Sequence, residues 1–288
     1  MKNTFVGFYR KESVSDINEK NSILLFGLPF ERVKATPGGS KKAPKAIRKH
    51  SYEFSGVSMK YDITKSKSVY FDLGDFWGSN KIAEVWKKAY DLDSKILVLG
   101  GDHSITFDTL SCSEIDDKTA IIWLDSHADL ADEYPEGIIQ SHGTVFTNLK
   151  NFNKLKANQL LLIGGHAFTQ TSTEHKKINN NEVNFLPTQQ IMKSREESYN
   201  IIREFVEKFD RVYLSIDVDV LDQSFVPTLG TAEPFGLTPQ ILLEILEIII
   251  PNAMYVDIVE TQFKRRNKIV LNFVVGLIFQ ILQIWETI

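Results

Sequence analysis

Cysteine is almost absent from this chain. Cys112 is the single one among 288 residues. No intrachain disulfide can form, and this usage fits a reducing cytoplasm in which the thiol serves packing. A surplus of basic charge is absent as well. Lysine and arginine number 33 against 37 aspartates and glutamates, a formal net charge of −4, and no basic stripe marks a nucleic-acid surface. The stretch from Met1 to Arg10 has no long apolar core and no small-residue cleavage site, so it does not read as a signal peptide. Internal repeats, low-complexity tracts and linkers are missing too, which favours one domain over residues 1–288. One long apolar run, Ile269 to Trp285, has the minimum length of a membrane span. Asn272, Gln280 and Gln283 interrupt it, so the expectation is a buried final helix and no membrane partner.

Eight short apolar runs stand out instead, near 22–28, 68–73, 95–99, 119–124, 159–163, 183–186, 211–216 and 254–259. Continuous apolar runs of this length suit strands buried on both faces of a parallel sheet. Segments between them can form helices, for example Lys81 to Tyr90, Arg195 to Phe209 and Pro239 to Ile249. The alternation predicts an α/β fold, a mostly parallel sheet with helices on both faces.

Three of these runs end in chemistry. Ala120 to Leu124 leads into Asp125-Ser126-His127-Ala128-Asp129, and Arg211 to Ser215 leads into Asp217-Val218-Asp219. Lys95 to Leu99 ends in Gly100-Gly101 and runs into Asp102-His103-Ser104. Ligands of open α/β sheets bind outside the carboxyl ends of the strands. Alternation along an extended chain would point Asp125, His127 and Asp129 together, and Asp217 with Asp219. Four carboxylates and imidazoles in one cleft repel unless cations lie between them, so the pattern points to a metal site with room for two ions. Carboxylate and imidazole without thiolate suit Mn, Mg or Fe better than Zn.

With these motifs the chain resembles the arginase and agmatinase family, the ureohydrolases, most closely agmatinase. Ser141-His142-Gly143-Thr144 and Met254-Tyr255-Val256-Asp257-Ile258-Val259-Glu260 extend the match, as do Ser22 to Pro29 and Pro37 to Arg48. The resemblance covers roughly residues 20 to 285, and it implies a three-layer, doubly wound, eight-stranded and mostly parallel sheet. It implies two Mn(2+) per subunit, one held by His103, Asp125, Asp129 and Asp217. The other would be held by His127, Asp125, Asp217 and Asp219, with a hydroxide bridging the pair. It also implies that His142 shuttles protons, that Glu260 pairs with a guanidinium, and that Asp222 orients a loop or a ligand. A homo-oligomer, trimer or hexamer, is implied as well.

The loop after the second motif carries Asp132, Glu133 and Glu136 and no base. Such a loop would attract an ammonium tail and repel a carboxylate. Glu174 is expected near the same tail. Agmatine, cleaved to putrescine and urea, is therefore the expected small cationic guanidine substrate. Arginase, aminopropylagmatine ureohydrolase, guanidinobutyrase and formimidoylglutamase activities are alternatives, and a non-catalytic metal-binding regulator is another. The loops Pro37 to Pro44 and Asp129 to Gly143 are expected near the cleft, with His166 and His175 as ordinary polar residues. Many family members have Asp-Pro where this chain has Asp222-Gln223, Arg-Pro-Gly where it has Thr36-Pro37-Gly38, and Gly-Ile-Arg where it has Gly164-Gly165-His166.

Overall fold

The computed structural model describes residues 4–33, 39–113, 115–151, 155–227, 233–262 and 268–287. Its strands are β1 (Tyr9–Arg10), β2 (Ile23–Leu28), β3 (Tyr70–Asp75), β4 (Lys95–Gly100), β5 (Thr119–Asp125), β6 (Leu160–Gly164), β7 (Asn184–Pro187), β8 (Arg211–Asp217) and β9 (Ala253–Val259). They form one sheet in the order β1-β3-β2-β4-β9-β8-β5-β6-β7, and every neighbouring pair is parallel. All eight expected strands are present within two residues of their expected ends. The ninth corrects the expected count. Both residues of β1 are exposed, so no apolar run announced it, and it adds to the sheet edge by pairing with Phe71 and Asp72.

The helices are α1 (Ala43–Ser51), α2 (Ser79–Leu92), α3 (Ile105–Cys112), α4 (Val145–Asn151), α5 (Ser172–Asn179), α6 (Thr188–Lys193), α7 (Arg195–Val206), α8 (Pro239–Ile249) and α9 (Ile269–Glu286). Strand alternation sorts the core into two layers. Leu97, Leu99, Ala120, Ile122, Leu124, Leu214 and Ile216 face one side, with α1, α7, α8 and α9. Ile96, Val98, Ile121, Trp123, Leu160, Leu162 and Tyr213 face the other, with α2, α3 and α4. This is the expected three-layer, doubly wound arrangement.

The final helix is long and apolar enough to cross a membrane by length and composition. In this fold one of its faces is inside. Val270, Val274, Ile278 and Leu282 recur every fourth residue and are buried, the stripe of a helix that covers a core. Its end is tied down by polar bonds. Trp285 Nε1 donates to the Ala253 carbonyl at 2.8 Å, and the Glu286 carboxylate accepts from the Lys67 and Ser68 amides and the Tyr70 hydroxyl.

Candidate functional site

The carboxyl ends of β4, β9, β8 and β5 lie side by side at the centre of the sheet. Each delivers a functional segment to the same edge. After β4 the chain turns sharply because Gly101 lies against Phe30: an added Cβ there would sit 1.9 Å from the Phe30 carbonyl oxygen. Glycine alone tolerates this approach, and the turn brings His103 over the sheet end. Asp102 does not join the cluster. Its carboxylate accepts from the Arg32 amide at 2.6 Å and from Ser104.

The expected alternation of Asp125, His127 and Asp129 ends at Asp125, where β5 stops. Turns bring the others in. His127 N donates to Asp125 Oδ1 at 2.6 Å, and Asp129 adopts a left-handed backbone with φ +52°. After β8 a single 3₁₀ turn, Val218–Val220, folds Asp219 back, and its amide donates to Asp217 Oδ1 at 2.8 Å. Glu260, just past β9, is left-handed as well, with φ +53°. Non-glycine residues in this region are uncommon and concentrate at functional sites.

The side chains form two ligand sets that share Asp125. One is His103, Asp125 and Asp217; the other is Asp125, His127 and Asp219. His103 Nδ1 lies 2.9 Å from Asp125 Oδ2, 3.2 Å from Asp129 Oδ2 and 3.2 Å from Asp217 Oδ2. His127 Nδ1 lies 3.1 Å from Asp219 Oδ2 and 3.4 Å from Asp125 Oδ1. Asp129 thus sits on the His103 side, and Asp217 adjoins both sets.

The donor set fits divalent cations by its own geometry. His103 Nε2 is 2.9 Å from Ser215 Oγ, whose hydroxyl donates to buried Asp257 at 2.5 Å. That leaves Nε2 as the donor and turns the Nδ1 lone pair toward three carboxylate oxygens. Nδ1 is buried and has no hydrogen bond despite these short distances. A lone pair facing carboxylates at contact is repulsive without a cation between them, and a metal-binding imidazole is fixed in this way by its second nitrogen.

Electrostatics agree. Burial alone would lower the His103 imidazole, but the closeness of the Asp125, Asp129 and Asp217 carboxylates holds it well above its ordinary value: the site favours a positive charge at Nδ1, whether proton or metal. Burial is likewise outweighed at His127 by Asp219 and Asp125. Burial, then the charge of Asp125, pushes Asp129 up to about 7, and burial with Asp219 and Asp125 raises Asp217. A centre that gathers this much negative charge attracts divalent ions.

A cavity opens above the cluster. His103, His127, Asp129, Asp217, Asp219, His142 and Glu260 line it, with Ala131, Tyr134, Gly143, Thr169, Gln170, Thr171, Glu174 and Gln262. Burial pushes His142 below its ordinary value, which favours the neutral imidazole. Its ring meets the Tyr134 ring edge-on at 5.3 Å. Glu260 accepts the His103 amide at 2.9 Å, and burial with the charge of Asp102 pushes it up to about 8.

Other expected residues stand elsewhere. Asp132, Glu133 and Glu136 do not line the cavity. Asp132 pairs with Lys177 at 2.6 Å, Glu133 accepts from the Gly137 amide, and Glu136 is exposed. Their loop reaches the cavity through Tyr134 instead. Glu174 does line it, but its carboxylate already accepts from the Leu130 and Thr171 amides and the Thr171 hydroxyl. Asp222 orients a loop: it accepts from the Ser224 and Phe235 amides. His166 is buried against Thr188, and His175 bonds Asn179; neither lines the cavity. Thr36 to Gly38 lie outside the described residues, and Gly39 to Pro44 do not line the cavity.

Sequence reasoning missed Ser215, Trp123 and Asp257. Trp123 stacks on His103 with ring centres 4.0 Å apart and donates to Asp125 Oδ2 at 2.9 Å. The signal was available for the first two, because Trp123 and Ser215 lie two residues before Asp125 and Asp217 and so share their side of a strand. Tyr134, Thr169 and Gln170 come from irregular loops and carried no such signal.

The family model of the arginase family matches residues 21–281. An uncharacterized 32.2 kDa protein of Methanothermus fervidus is 30% identical over 266 residues, 88% of each chain. The agmatinase of Photorhabdus laumondii is 30% identical, covering 82% of this chain and 78% of its own. The formimidoylglutamase of Bacillus subtilis is 27% identical over 82% of this chain and 78% of its own. Its crystal structure superimposes with a TM-score of 0.82, at 24% identity, over 95% of this chain and 92% of that one.

Proposed function

Because this chain belongs to the arginase family, we propose that it is a two-manganese hydrolase that cleaves a C–N bond of a linear guanidinium compound, with agmatine as substrate. The observation that carries the reading is the pair of ligand sets joined at Asp125, with the His103 Nδ1 lone pair facing three carboxylates. His103, Asp125, Asp129 and Asp217 would hold one ion, and Asp125, His127, Asp217 and Asp219 the other. Bound manganese supplies Lewis acidity and a water acidified into a nucleophile at neutral pH.

The chain's own groups do the rest. Glu260, on the cavity wall, accepts the forked N–H groups of a guanidinium. Its burial favours the protonated acid, so an arriving cation displaces that proton. His142, in the same cavity and held toward its neutral form by burial, can take up a proton and deliver it to the departing amine. Tyr134 and Thr169 line the same cavity beside these groups.

For the tail, the cavity wall is the better guide than the loop acids. Among the described residues no lysine or arginine lines the cavity, so a carboxylate tail lacks a cationic partner there and an ammonium tail does not need one. One comparison favours a second reading. The likeness to the formimidoylglutamase of Bacillus subtilis supports it, with a carboxylate-tailed substrate such as formimidoylglutamate. The test is a substrate panel of agmatine, arginine and formimidoylglutamate offered to manganese-loaded protein. Urea from agmatine with no turnover of the other two supports the first reading. Turnover of formimidoylglutamate alone replaces it with the second.

A further inference from the structure

Past the end of β5 no strand ladder holds the chain, yet the loop from Ser126 to Asp132 must keep Asp129 in a left-handed backbone against the cost that a side chain brings there. The segment after β6 supplies the restraint. Gln170 donates to the Ser126 carbonyl at 3.0 Å and accepts from the Ala128 amide at 3.1 Å. Beyond Asp129, Glu174 Oε1 accepts from the Leu130 amide at 3.1 Å. Lys177 Nζ donates to the Leu130 carbonyl at 2.7 Å, to Asp132 at 2.6 Å and to Thr147 Oγ1 at 3.0 Å.

We propose that Glu174 and Lys177 are positioning residues that brace Leu130 and so hold Asp129 in the conformation that presents its carboxylate to the His103 side of the metal centre. The two residues are three apart on α5 and therefore share one face. One fixes the peptide group that follows Asp129, and the other fixes the next. Both bonds to the backbone are charge-assisted. Glu174 is buried, and its second oxygen is held by the Thr171 amide and hydroxyl at 2.7 and 2.8 Å. This is a carboxylate locked into the fold. Lys177 does not line the cavity, so any effect it has on the centre must pass through the loop.

The inference rests on the metal-centre reading, and its test separates the two. Mn(2+) binding is titrated into metal-free wild type, Lys177→Met and Glu174→Gln, with free ion followed by electron paramagnetic resonance. The wild type is expected to bind two ions. In each variant the affinity for one of them should fall about 10- to 100-fold, the usual cost of removing a group that orients a metal ligand, while the other ion binds as before. Lys177→Arg, which keeps charge and donors, should recover part of the loss. A Lys177→Met protein that binds both ions as tightly as wild type overturns the brace. Unchanged metal affinity with a raised KM in Glu174→Gln makes Glu174 a substrate contact and overturns its part. Deuterium exchange at the Leu130 amide in metal-free protein gives an independent reading. It should be slow in wild type and at least about tenfold faster in Glu174→Gln. If the wild type binds no Mn(2+), the metal reading fails and the exchange still decides the brace. If the variants do not fold, an unprotected Leu130 amide in wild type overturns it.

Discussion

Asp217 adjoins both ligand sets, and its carboxylate is raised by burial, Asp219 and Asp125. Asp217→Ala is expected to abolish turnover and strip the centre of metal, checked by elemental analysis of the purified protein; full metal content would remove Asp217 from the ligand set. Glu260→Gln should leave metal content intact and lower kcat/KM about 10- to 100-fold, the scale of one hydrogen bond to a charged partner. Loss of metal instead would make Glu260 part of the centre. The acids also set a pH dependence. Asp129 is pushed up to about 7 by burial and Asp125, from an unfolded value near about 4. An acid raised on folding contributes stability that is complete below its unfolded value and lost as pH rises through its folded value. Asp217, His103 and His127 are raised too and act in the same sense. Asp219 is lowered and acts only below about pH 4, while His142 and His166, lowered by burial, oppose the raised groups below about pH 6.5 and are outnumbered by them. Metal-free protein should therefore melt at falling temperature from about pH 4 to beyond pH 7, and Mn(2+) should reverse the fall; a melting temperature that rises over that span would contradict the assignment.

At this scale the cluster of His103, Asp125, His127, Asp129, Asp217 and Asp219 was legible, because three apolar runs each end in acids or histidine and parallel strands bring those ends to one edge. The tail contacts were not. Asp132, Glu133 and Glu136 carry the charge expected to face the tail, but their loop turns them outward and presents Tyr134. Charge in a sequence does not say which way a turn faces.

Among the elements, the eight interior strands were legible because burial on both faces leaves continuous apolar runs. The two-residue β1 was not, since an exposed edge strand needs no apolar residues. The last helix was ambiguous, because a core helix and a membrane span share composition. The fold resolves it through the buried stripe of Val270, Val274, Ile278 and Leu282. Ile278 is fully buried, so Ile278→Ala should lower unfolding free energy by about 2–5 kcal/mol. Ile269, half-exposed at the start of the same helix, should tolerate alanine within about 0.5 kcal/mol. Urea unfolding midpoints check both, and equal effects would deny that the stripe faces the core.

Across the whole molecule, the strand order puts β4, β9, β8 and β5 at the centre of the sheet, so segments separated by more than 150 residues deliver His103 and Glu260 to one edge. Parallel strands with crossover helices align all carboxyl ends in one direction, and this is why residues so distant in sequence meet there. The resemblance also implies a homo-oligomer, which we propose on that ground alone: light scattering should return three or six chain masses, and a monomer mass would contradict it. The most direct test of the central claim is hydrolysis by one preparation measured metal-free and again after Mn(2+) loading, with agmatine, arginine and formimidoylglutamate each as substrate. The account expects no turnover without metal and turnover of at least one substrate, agmatine first, with it. Two bound Mn(2+) ions and no hydrolysis of any of the three would contradict it.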